Sequence, residues 1–396
     1  MDIIEMTDEQ GNWYKYKRYD GRPYVPLVYG NVKDQLQLLD SYEFRNDDVF
    51  LCTYPKSGTH WVHNIINMLR TGSMKHQGGH ELMEFHDIKR LDNMSHPRTI
   101  ATHITYNILP STIKCGVGKI VYVMRNPKDV FVSLKCFLGL LKKNVYEGDT
   151  DGLLRIFLSD EFGIGVGGSW FNHTKEWDNA KSVNTALNIH TIKYEDIKRD
   201  PYGEIEKLAK FLETDSSVTF LDNIVKHIEF DRMKEEHTKS AGATEQWAHL
   251  CENGRLPLYR KGIIGDWRNM LTVSQNEVFD AAIKDKLSTL VQEGFPSDEC
   301  HDVMRFENRQ SGLQQIKSTG AQEVLSEMDD RRRREKNILV FGVKEQTSSD
   351  GKERKGKDEK EIEEMLRASS LPSEARKCVT KIFRLGKFDK EKEDQF

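Results

Sequence analysis

The sequence has 396 residues and carries 59 Lys and Arg against 63 Asp and Glu, and the resulting net charge of −4 excludes a generally basic nucleic-acid binder. Its six cysteines are scattered without a CxxC pair, which excludes a dense disulfide scaffold and a Cys-rich zinc site and is typical of the reducing cytosol. The first residues, MDIIEMTDEQ, lack the apolar stretch of a secretory signal, and no run approaches the roughly 18 apolar residues of a membrane span. We therefore expect a cytoplasmic protein without a membrane partner.

Composition divides the chain into two regions. Residues 331–396 contain 19 Lys and Arg and 14 Asp and Glu, whereas all six Trp and all thirteen Tyr lie before residue 268. Only 37% of the whole chain is hydrophobic, so part of it lacks the apolar side chains for a packed core. The sequence predicts a globular domain over residues 1–310 and a charged, partly disordered extension over residues 311–396.

Strands and helices alternate along the globular domain. Short apolar runs predict buried strands at Asp47–Tyr54, Lys119–Met124 and Leu187–Tyr194. Apolar residues at helical spacing and helix-start signals predict helices at Thr59–Leu69, Pro127–Phe137, Pro201–Leu212 and Ser274–Leu290, with Asp200 capping the third. This order predicts an α/β fold, a three-layer sandwich with a central parallel sheet flanked by helices, whose ligands bind beyond the carboxyl ends of the strands.

The segment TYPKSGTHW, residues 53–61, connects the first of these strands to the first helix. Gly58 lets the loop turn its backbone N–H groups inward, while the helix N-terminus and Lys56 add positive charge, so the segment predicts an anion site. It is not a Walker A sequence, in which the Lys follows the glycines. The alternative is an ordinary strand–loop–helix turn with a solvated Lys56.

A second candidate phosphate site is VMRNPKDVFVSL, residues 123–134. Arg125 leaves the end of a buried strand, and Ser133 lies on the helix that follows. In the alternative interpretation, Arg125 pairs with Asp129 and Ser133 faces solvent.

A third candidate is YRKGIIGDWRNMLT, residues 259–272. Arg260 and Lys261 supply two cations and Gly262 an exposed backbone N–H, which together suit a phosphate. The alternative is a basic surface turn.

The three segments together resemble the cytosolic sulfotransferase family, whose members use 3′-phosphoadenosine 5′-phosphosulfate (PAPS). TYPKSGTHW, VMRNPKDVFVS and RKGIIGDW occur in the family's order, and PRTIATHITYNILP (97–110), KYEDIKRDP (193–201) and VMRFENR (303–309) also fit. The resemblance covers about residues 10–310. It implies a P-loop-like fold, PAPS as co-substrate, PAP as product and no metal.

The resemblance also implies roles for individual residues. Lys56, Ser57, Gly58 and Thr59 would hold the 5′-phosphosulfate, Arg125, Ser133, Arg260, Lys261 and Gly262 the 3′-phosphate, and Trp61, Phe230 and Tyr194 the adenine. His103 falls on the family's catalytic base, which would take the proton of an acceptor hydroxyl while Lys56 stabilises charge on the bridging oxygen. The alternative for His103 is a structural loop histidine.

Three positions depart from the family pattern. Ala101 stands where many members carry a Lys, His60 replaces a Thr and would add an imidazole donor to the cofactor-binding loop, and Ile228 replaces a hydroxyl residue near the adenine. We expect a working enzyme with altered rate or acceptor choice. The acceptor pocket would be built from variable loops near Phe85, Tyr106, Phe137 and Trp247.

The expected function is transfer of the sulfuryl group of PAPS to a hydroxyl of a phenol, steroid or other small alcohol, or to an amine. The alternatives are a PAP- or PAPS-binding protein with little turnover and a P-loop nucleotide kinase. The segment Arg268–Glu277 resembles the family's dimer motif with Arg in place of Lys, which implies a homodimer joined there; the alternative is a loop that leads into a helix.

The extension has no counterpart in the family. Arg331–Arg334 and the following NILVFGV weakly resemble an RRM-like segment of retrotransposon-encoded RNA-binding proteins. The extension lacks Tyr, Trp and a run of stacking aromatics, so nucleic-acid binding is not expected. The alternatives are a disordered charged tail, a gene-model fusion and an incomplete RRM-like unit.

Overall fold

The computed structural model describes residues 3–8, 10–76, 82–141, 145–161, 164–239 and 258–292. All of them fall within the unit Met1–Val303. The extension predicted over residues 311–396 lies outside the described residues. In the part of the chain that is described, no helix has the length and apolar character needed to cross a membrane.

The described residues form eight strands and a series of helices. The strands are β1 (Ile4–Thr7), β2 (Trp13–Tyr19), β3 (Arg22–Tyr24), β4 (Val49–Thr53), β5 (Thr99–Thr102), β6 (Lys119–Met124), β7 (Tyr146–Glu147) and β8 (Ile189–Lys193). The α-helices are α1 (Val32–Ser41), α2 (Thr59–Thr71), α3 (Ser111–Lys114), α4 (Pro127–Leu138), α5 (Thr150–Leu158), α6 (Trp170–Val183), α7 (Tyr194–Arg199), α8 (Pro201–Leu212), α9 (Val218–His227), α10 (Phe230–Lys239) and α11 (Val273–Gln292). Short 3₁₀ turns cover Ile88–Asn93, Tyr106–Ile108 and Asp266–Asn269.

The central sheet is parallel, as predicted, and its strand order is β5-β4-β6-β8. Leu51 of β4 pairs with Ala101 of β5 on one side and with Val121 of β6 on the other. All residues of β4 are buried, which explains why its sequence is continuously apolar instead of alternating. The parallel pairing brings the carboxyl ends of the four strands to one edge of the sheet.

Helices cover both faces of this sheet. On one face, alternate strand residues such as Leu51, Val121 and Ile192 join a buried cluster with apolar residues of α2, α8 and α9. On the other face, Tyr122 of β6 stacks on Trp177 of α6, with ring centroids 5.1 Å apart. The three-layer α/β architecture predicted from the sequence is therefore confirmed.

The predicted helix starts agree with the structure at two capping residues. The side chain of Asp200 accepts a hydrogen bond of 3.0 Å from the N–H of Gly203 at the start of α8. Asn126 caps α4 in the same way, accepting from Lys128 at 3.0 Å, and Pro127 occupies the first turn. Tyr194, predicted as the end of a strand, instead begins α7 directly after β8.

A second, antiparallel sheet was not predicted. It has the order β1-β2-β3, with β7 paired to β2. Tyr14 and Tyr16 of β2 are buried and stack with ring centroids 5.5 Å apart. The alternation of Tyr with Lys and Arg along β2 is the pattern of a strand with one buried face.

Candidate active site

The loop between β4 and α2 has the backbone of an anion site. Lys56 adopts a φ of +70° and Gly58 a φ of +104°, so the chain turns sharply before the first turn of α2. A Cβ at Gly58 would lie 2.8 Å from Cδ2 of Tyr194, so only glycine fits there without displacement. The N–H groups that begin α2 are therefore available to a negatively charged group above the loop.

The two residues before Gly58 supply a cation and a hydroxyl. The ammonium of Lys56 lies 4.0 Å from the ring centroid of Phe137. Burial, together with the positive charges of Arg125 and Arg260, lowers the pKa of Lys56 to about 8. Ser57 is fully buried, and its hydroxyl has no hydrogen-bond partner among the described residues.

Arg125 reaches the same loop from the end of β6. Its Nη1 donates to the carbonyl oxygen of Lys56 at 2.9 Å, and its guanidinium lies 4.3 Å from the ring centroid of Tyr194. The buried Nε of Arg125 has no hydrogen-bond partner in the described part of the chain. Ser133, half-buried on α4, faces the same cavity.

Asp129 does not pair with Arg125, as the alternative interpretation of the second candidate site had it. This buried carboxylate accepts from the backbone N–H of Gly265 at 2.6 Å and from that of Trp267 at 3.2 Å. It thereby fixes the start of α4 to the third candidate segment, while Arg125 donates to the carbonyl oxygen of Lys56.

Arg260 and Lys261 share one buried carboxylate, that of Asp266. The nitrogen–oxygen distances are 2.5 Å from Arg260 and 3.0 Å from Lys261. Burial alone would raise the pKa of Asp266, but hydrogen bonds from Asn269, Lys261 and Arg260 lower it to about 2. A Cβ at Gly262 would collide with the ring of Phe230, so the backbone here lies directly against that ring.

Three aromatic side chains lie near these cations. Trp61 and Tyr194 meet edge to face with ring centroids 5.4 Å apart. Nε1 of Trp61 donates to the carbonyl oxygen of Ile228 at 3.1 Å, which fixes the indole plane. Phe230 begins α10 and contacts Tyr259 at 6.1 Å between centroids.

His103 follows β5 at the carboxyl edge of the sheet. Its Nδ1 lies 2.8 Å from the carbonyl oxygen and 3.0 Å from Oγ1 of Thr53. Because a carbonyl only accepts, Nδ1 carries the proton and Nε2 holds the free lone pair. Burial lowers the pKa of His103 to about 4, the hydrogen bond to Thr53 opposes this shift, and the charge of Lys56 adds to it. The imidazole is therefore neutral at physiological pH.

His60 packs into a cluster of aromatic and imidazole rings. Its ring centroid lies 5.2 Å from those of His76 and His237 and 5.4 Å from that of Tyr259. This cluster joins the first motif to the residue that precedes Arg260. Among the described residues no group of His, Cys, Asp and Glu has the arrangement of a metal site.

A single cavity collects the candidate residues. Except for Ser57, which is buried beneath it, every predicted site residue lines this cavity: Lys56, Gly58, Thr59, His60, Trp61, His103, Arg125, Ser133, Tyr194, Phe230, Arg260, Lys261 and Gly262. The lining of the same cavity also includes apolar side chains, among them Val25, Leu82, Phe85, Phe137, Leu141 and Ile164. The cavity thus combines basic and apolar residues, and the ring of His103 lies 6.1 Å from that of Phe85 between centroids.

The predicted acceptor pocket needs one correction. Phe85 and Phe137 line the cavity as expected, but Tyr106 packs against Trp177 at 5.5 Å between ring centroids. The hydroxyl of Tyr106 accepts from Asn184, which holds the side chain in this position. Trp247 lies outside the described residues.

Sequence reasoning missed three residues of this site. Thr53 and Glu84 contact His103, and Lys198 of α7 lines the cavity with its ammonium 5.2 Å from the ring of Trp61. Lys198 lies in KYEDIKRDP, the segment from which Tyr194 alone was predicted as a site residue. Glu84 gave no local signal, because its contacts come from residues far away in the chain.

Comparison with known proteins identifies the family of the chain. The family described as "Sulfotransferase domain" matches residues 46–291. "Sulfotransferase 1 family member D1" of Mus musculus is 33% identical over 269 residues, 65% of this chain and 88% of that protein. "Amine sulfotransferase" of Oryctolagus cuniculus is 34% identical over 264 residues, 64% of this chain and 84% of that protein.

Similarity extends to a solved structure. A mouse sulfotransferase complexed with PAP has a TM-score of 0.57 and 28% identity, covering 73% of this chain and 99% of that chain. The family match spans more than half of the sequence and includes all three candidate phosphate segments. The chain belongs to the sulfotransferase family, the enzymes that transfer a sulfuryl group from PAPS.

Proposed function

We propose that this sulfotransferase transfers the sulfuryl group of PAPS to a hydroxyl of a small apolar molecule, with His103 as the general base. The observation that carries the proposal is the position of His103, whose Nδ1 is held by Thr53 and whose ring lies beside Phe85 in the cavity that Lys56 also lines.

Several features support PAPS as the ligand of the basic residues in this cavity. PAPS would supply an activated sulfuryl group together with two phosphate groups and an adenine. Oγ of Ser57 and Nε of Arg125 are buried hydrogen-bond donors without a partner among the described residues, and an anion would accept from both. Lys56 and the start of α2 would hold the 5′ end, and Arg125, Ser133, Arg260, Lys261 and Gly262 the 3′-phosphate. The aromatic rings of Trp61, Tyr194 and Phe230 would enclose the adenine.

The acceptor step follows from the tautomer of His103. Nε2 takes the proton of the acceptor hydroxyl as its oxygen forms a bond to sulfur. The bond from sulfur to the phosphate oxygen breaks, and Lys56 stabilises the negative charge on that oxygen. General-base assistance of this kind contributes about 10²–10⁴-fold.

The lining favours a phenol, steroid or other small alcohol over an amine. Side chains such as Phe85, Phe137 and Leu141 offer apolar contact area, and none of the described lining residues is Asp or Glu. A cationic amine would lose its hydration there without gaining an opposite charge. The name of the rabbit relative makes an amine the second candidate acceptor.

The two alternative functions are not favoured. The first alternative, a binding protein with little turnover, rests on Ala101, which stands where many family members carry a Lys. Ala101 is buried and pairs with Leu51 in the sheet, so it offers no cation to the site. Lys56 nevertheless remains in the cavity, so we expect turnover rather than binding alone. The first motif lacks the Walker A spacing of a nucleotide kinase.

We further propose a cytoplasmic homodimer. Among the described residues, Cys52, Cys115 and Cys136 are free thiols, which is compatible with a reducing compartment. In the segment Arg268–Glu277, Val273 is 77% exposed, which suits a residue that a second subunit would cover.

The test is PAP formation from PAPS, with p-nitrophenol, a steroid alcohol and an alkylamine as separate acceptors. We expect metal-independent turnover that is fastest with a hydroxyl acceptor, and a higher Tm in PAP because a ligand of the native state stabilises it. Stabilisation by PAP without turnover of any acceptor would favour the binding protein. A larger Tm shift with ATP than with PAP, or Mg²⁺ dependence, would favour the kinase.

A further inference from the structure

Glu84 is a buried carboxylate beside the end of β5. It lies in a short segment that pairs with β5 through a bridge between Leu82 and Ala101, and the N–H of Met83 donates to the carbonyl oxygen of Ala101 at 3.1 Å. The side chain of Glu84 is fully buried. A carboxylate in such a place costs free energy unless donors satisfy its oxygens.

Two donors from consecutive residues satisfy this carboxylate. Oε1 accepts from the backbone N–H of His103 at 2.8 Å, and Oε2 accepts from the hydroxyl of Thr102 at 2.9 Å. Oγ1 of Thr102 in turn accepts from the N–H of Ile104 at 3.1 Å. The carboxylate therefore fixes the backbone on both sides of the Cα of His103.

The imidazole of the same residue is held at a second point. Its Nδ1 donates to the carbonyl oxygen of Thr53, at the end of β4. With the backbone fixed by Glu84 and the ring fixed by Thr53, neither the position nor the rotation of the ring remains free. Nε2 is then directed in one orientation only.

We propose that Glu84 is a positioning residue that aims Nε2 of His103 at the acceptor by holding the backbone N–H of His103. This inference rests on the proposed function, because it gives Glu84 a role through the base named there. Glu84 is not itself assigned a proton-transfer step, since both of its oxygens are occupied by Thr102 and His103.

The role does not require a negative charge. Burial raises the pKa of Glu84 to about 7, and the hydrogen bonds from His103 and Thr102 limit the rise. A neutral side chain of the same shape keeps an oxygen for the N–H of His103, and the Thr102 hydroxyl can accept instead of donate. Glu84→Gln is therefore the conservative variant, and Glu84→Ala removes the support.

The experiment measures kcat and PAP affinity for the full chain with PAPS and p-nitrophenol. We expect Glu84→Ala to lower kcat by about tenfold to a hundredfold, because small displacements of a reacting group have effects of this size. The Kd for PAP should stay within about threefold, since the expected phosphate contacts are elsewhere, and Glu84→Gln should retain more than about half of wild-type kcat.

A double variant separates positioning from general structural damage. In the His103→Ala background, Glu84→Ala should cause no further loss, because its effect passes through His103. A full additional loss in the double variant, or a Glu84→Gln variant as slow as Glu84→Ala, would overturn the inference. So would a wild-type kcat in Glu84→Ala.

Nitrogen NMR of the imidazoles gives a readout that needs no turnover. The His103 signals are identified by their disappearance in His103→Ala, and the wild type should show Nδ1 protonated. Glu84→Ala should shift these signals toward a mixture of tautomers, and unchanged signals would contradict the inference. If the wild type does not turn over p-nitrophenol but the shift is seen, the proposed acceptor chemistry fails while the positioning role stands.

A milder variant covers the case in which Glu84→Ala does not fold. Thr102→Val removes one of the two donors and changes the side-chain volume little. We expect a kcat reduced several-fold and the same direction of NMR shift. A folded Thr102→Val variant with the kcat and the His103 NMR signals of the wild type would overturn the proposal.

Discussion

Nδ1 of His103 donates a hydrogen bond of 2.8 Å to the carbonyl oxygen of Thr53, across two neighbouring parallel strands. Oγ1 of Thr53 also lies 2.7 Å from Oγ1 of Thr59 in the first turn of α2. The proposed base is thereby connected through one threonine to the loop that would hold the sulfuryl donor. The distance between base and donor loop is fixed by the sheet rather than by a flexible loop.

Replacing His103 by Ala should abolish most turnover and leave nucleotide binding intact. A base acts on the acceptor, so kcat should fall by more than about tenfold while the Kd for PAP changes only a few-fold. Calorimetric titration with PAP and a transfer assay measure the two quantities. A variant that keeps more than about a tenth of wild-type kcat would show that His103 is not the base.

Nucleotide affinity should weaken at alkaline pH. The pKa of Lys56 lies at about 8, below its ordinary 10.5, so the ammonium loses its proton as the pH rises through this value. The attraction for the 5′ group is present below that pH and lost above it. We expect the Kd for PAP to rise between about pH 7 and 9 in the wild type.

Lys56→Met is the matched control for this titration. It keeps an unbranched side chain and removes the charge, so its PAP affinity should be lower and nearly constant over the same range. A wild-type affinity that does not change with pH, or a variant that follows the wild-type curve, would assign the cation's role to another residue.

Gly58→Ala should impair both stability and PAP binding. A side chain at positive φ costs about 1–2 kcal/mol, and this Cβ would also lie 2.8 Å from Cδ2 of Tyr194. Gly72→Ala provides the comparison, because Gly72 ends α2 with a φ of +68° and has no atom within 4 Å of its Cβ position. Denaturant unfolding and PAP titration should show the backbone cost in both variants and the binding loss only in Gly58→Ala.

Val273→Glu should weaken the proposed dimer. Val273 starts α11 with 77% of its surface exposed, and a charge there would be buried if a second subunit covered it. Val183→Glu, at a residue 68% exposed at the end of α6, introduces the same charge outside the motif. Light scattering should report dissociation for the first variant alone. A monomeric wild type would contradict the prediction.

Truncation after residue 310 should leave folding and transfer unchanged. Every motif and every Trp and Tyr of the chain precede this point. The thermal midpoint and kcat/KM of residues 1–310 should match those of the full chain. A Tm lower by more than about 4 °C, which corresponds to at least about 1 kcal/mol in a domain of this size, would place the domain boundary elsewhere.

The sequence was most informative where one segment contains both a buried strand and the charged site residue that follows it. β4 and β6 are largely apolar runs, and each is followed within three residues by the residue that reaches the site, Lys56 or Arg125. β5 escaped prediction because its four residues, Thr-Ile-Ala-Thr, are too short and too mixed to form a recognisable run. β2 has a period of two, but its Lys and Arg residues concealed the buried tyrosines.

Contacts between distant residues were out of reach of the same reasoning. The N–H of His103 and the carboxylate of Glu84 are 19 positions apart, and Asp129 is 136 positions from Gly265. Neither acidic residue stands in a pattern that identifies its partner. Their roles depend on which strand ends and loops the fold brings together.

The buried carboxylate of Asp129 connects the second and third candidate segments of the proposed nucleotide site. It holds two backbone N–H groups just beyond Arg260 and Lys261, while its own helix follows Arg125. A displacement of one segment should therefore displace the other. Substitutions in the second and third segments should not have additive effects on the free energy of PAP binding. A ligand that binds only one of these segments would also fix the position of the other. One fragment of PAP should therefore raise the affinity for a second fragment.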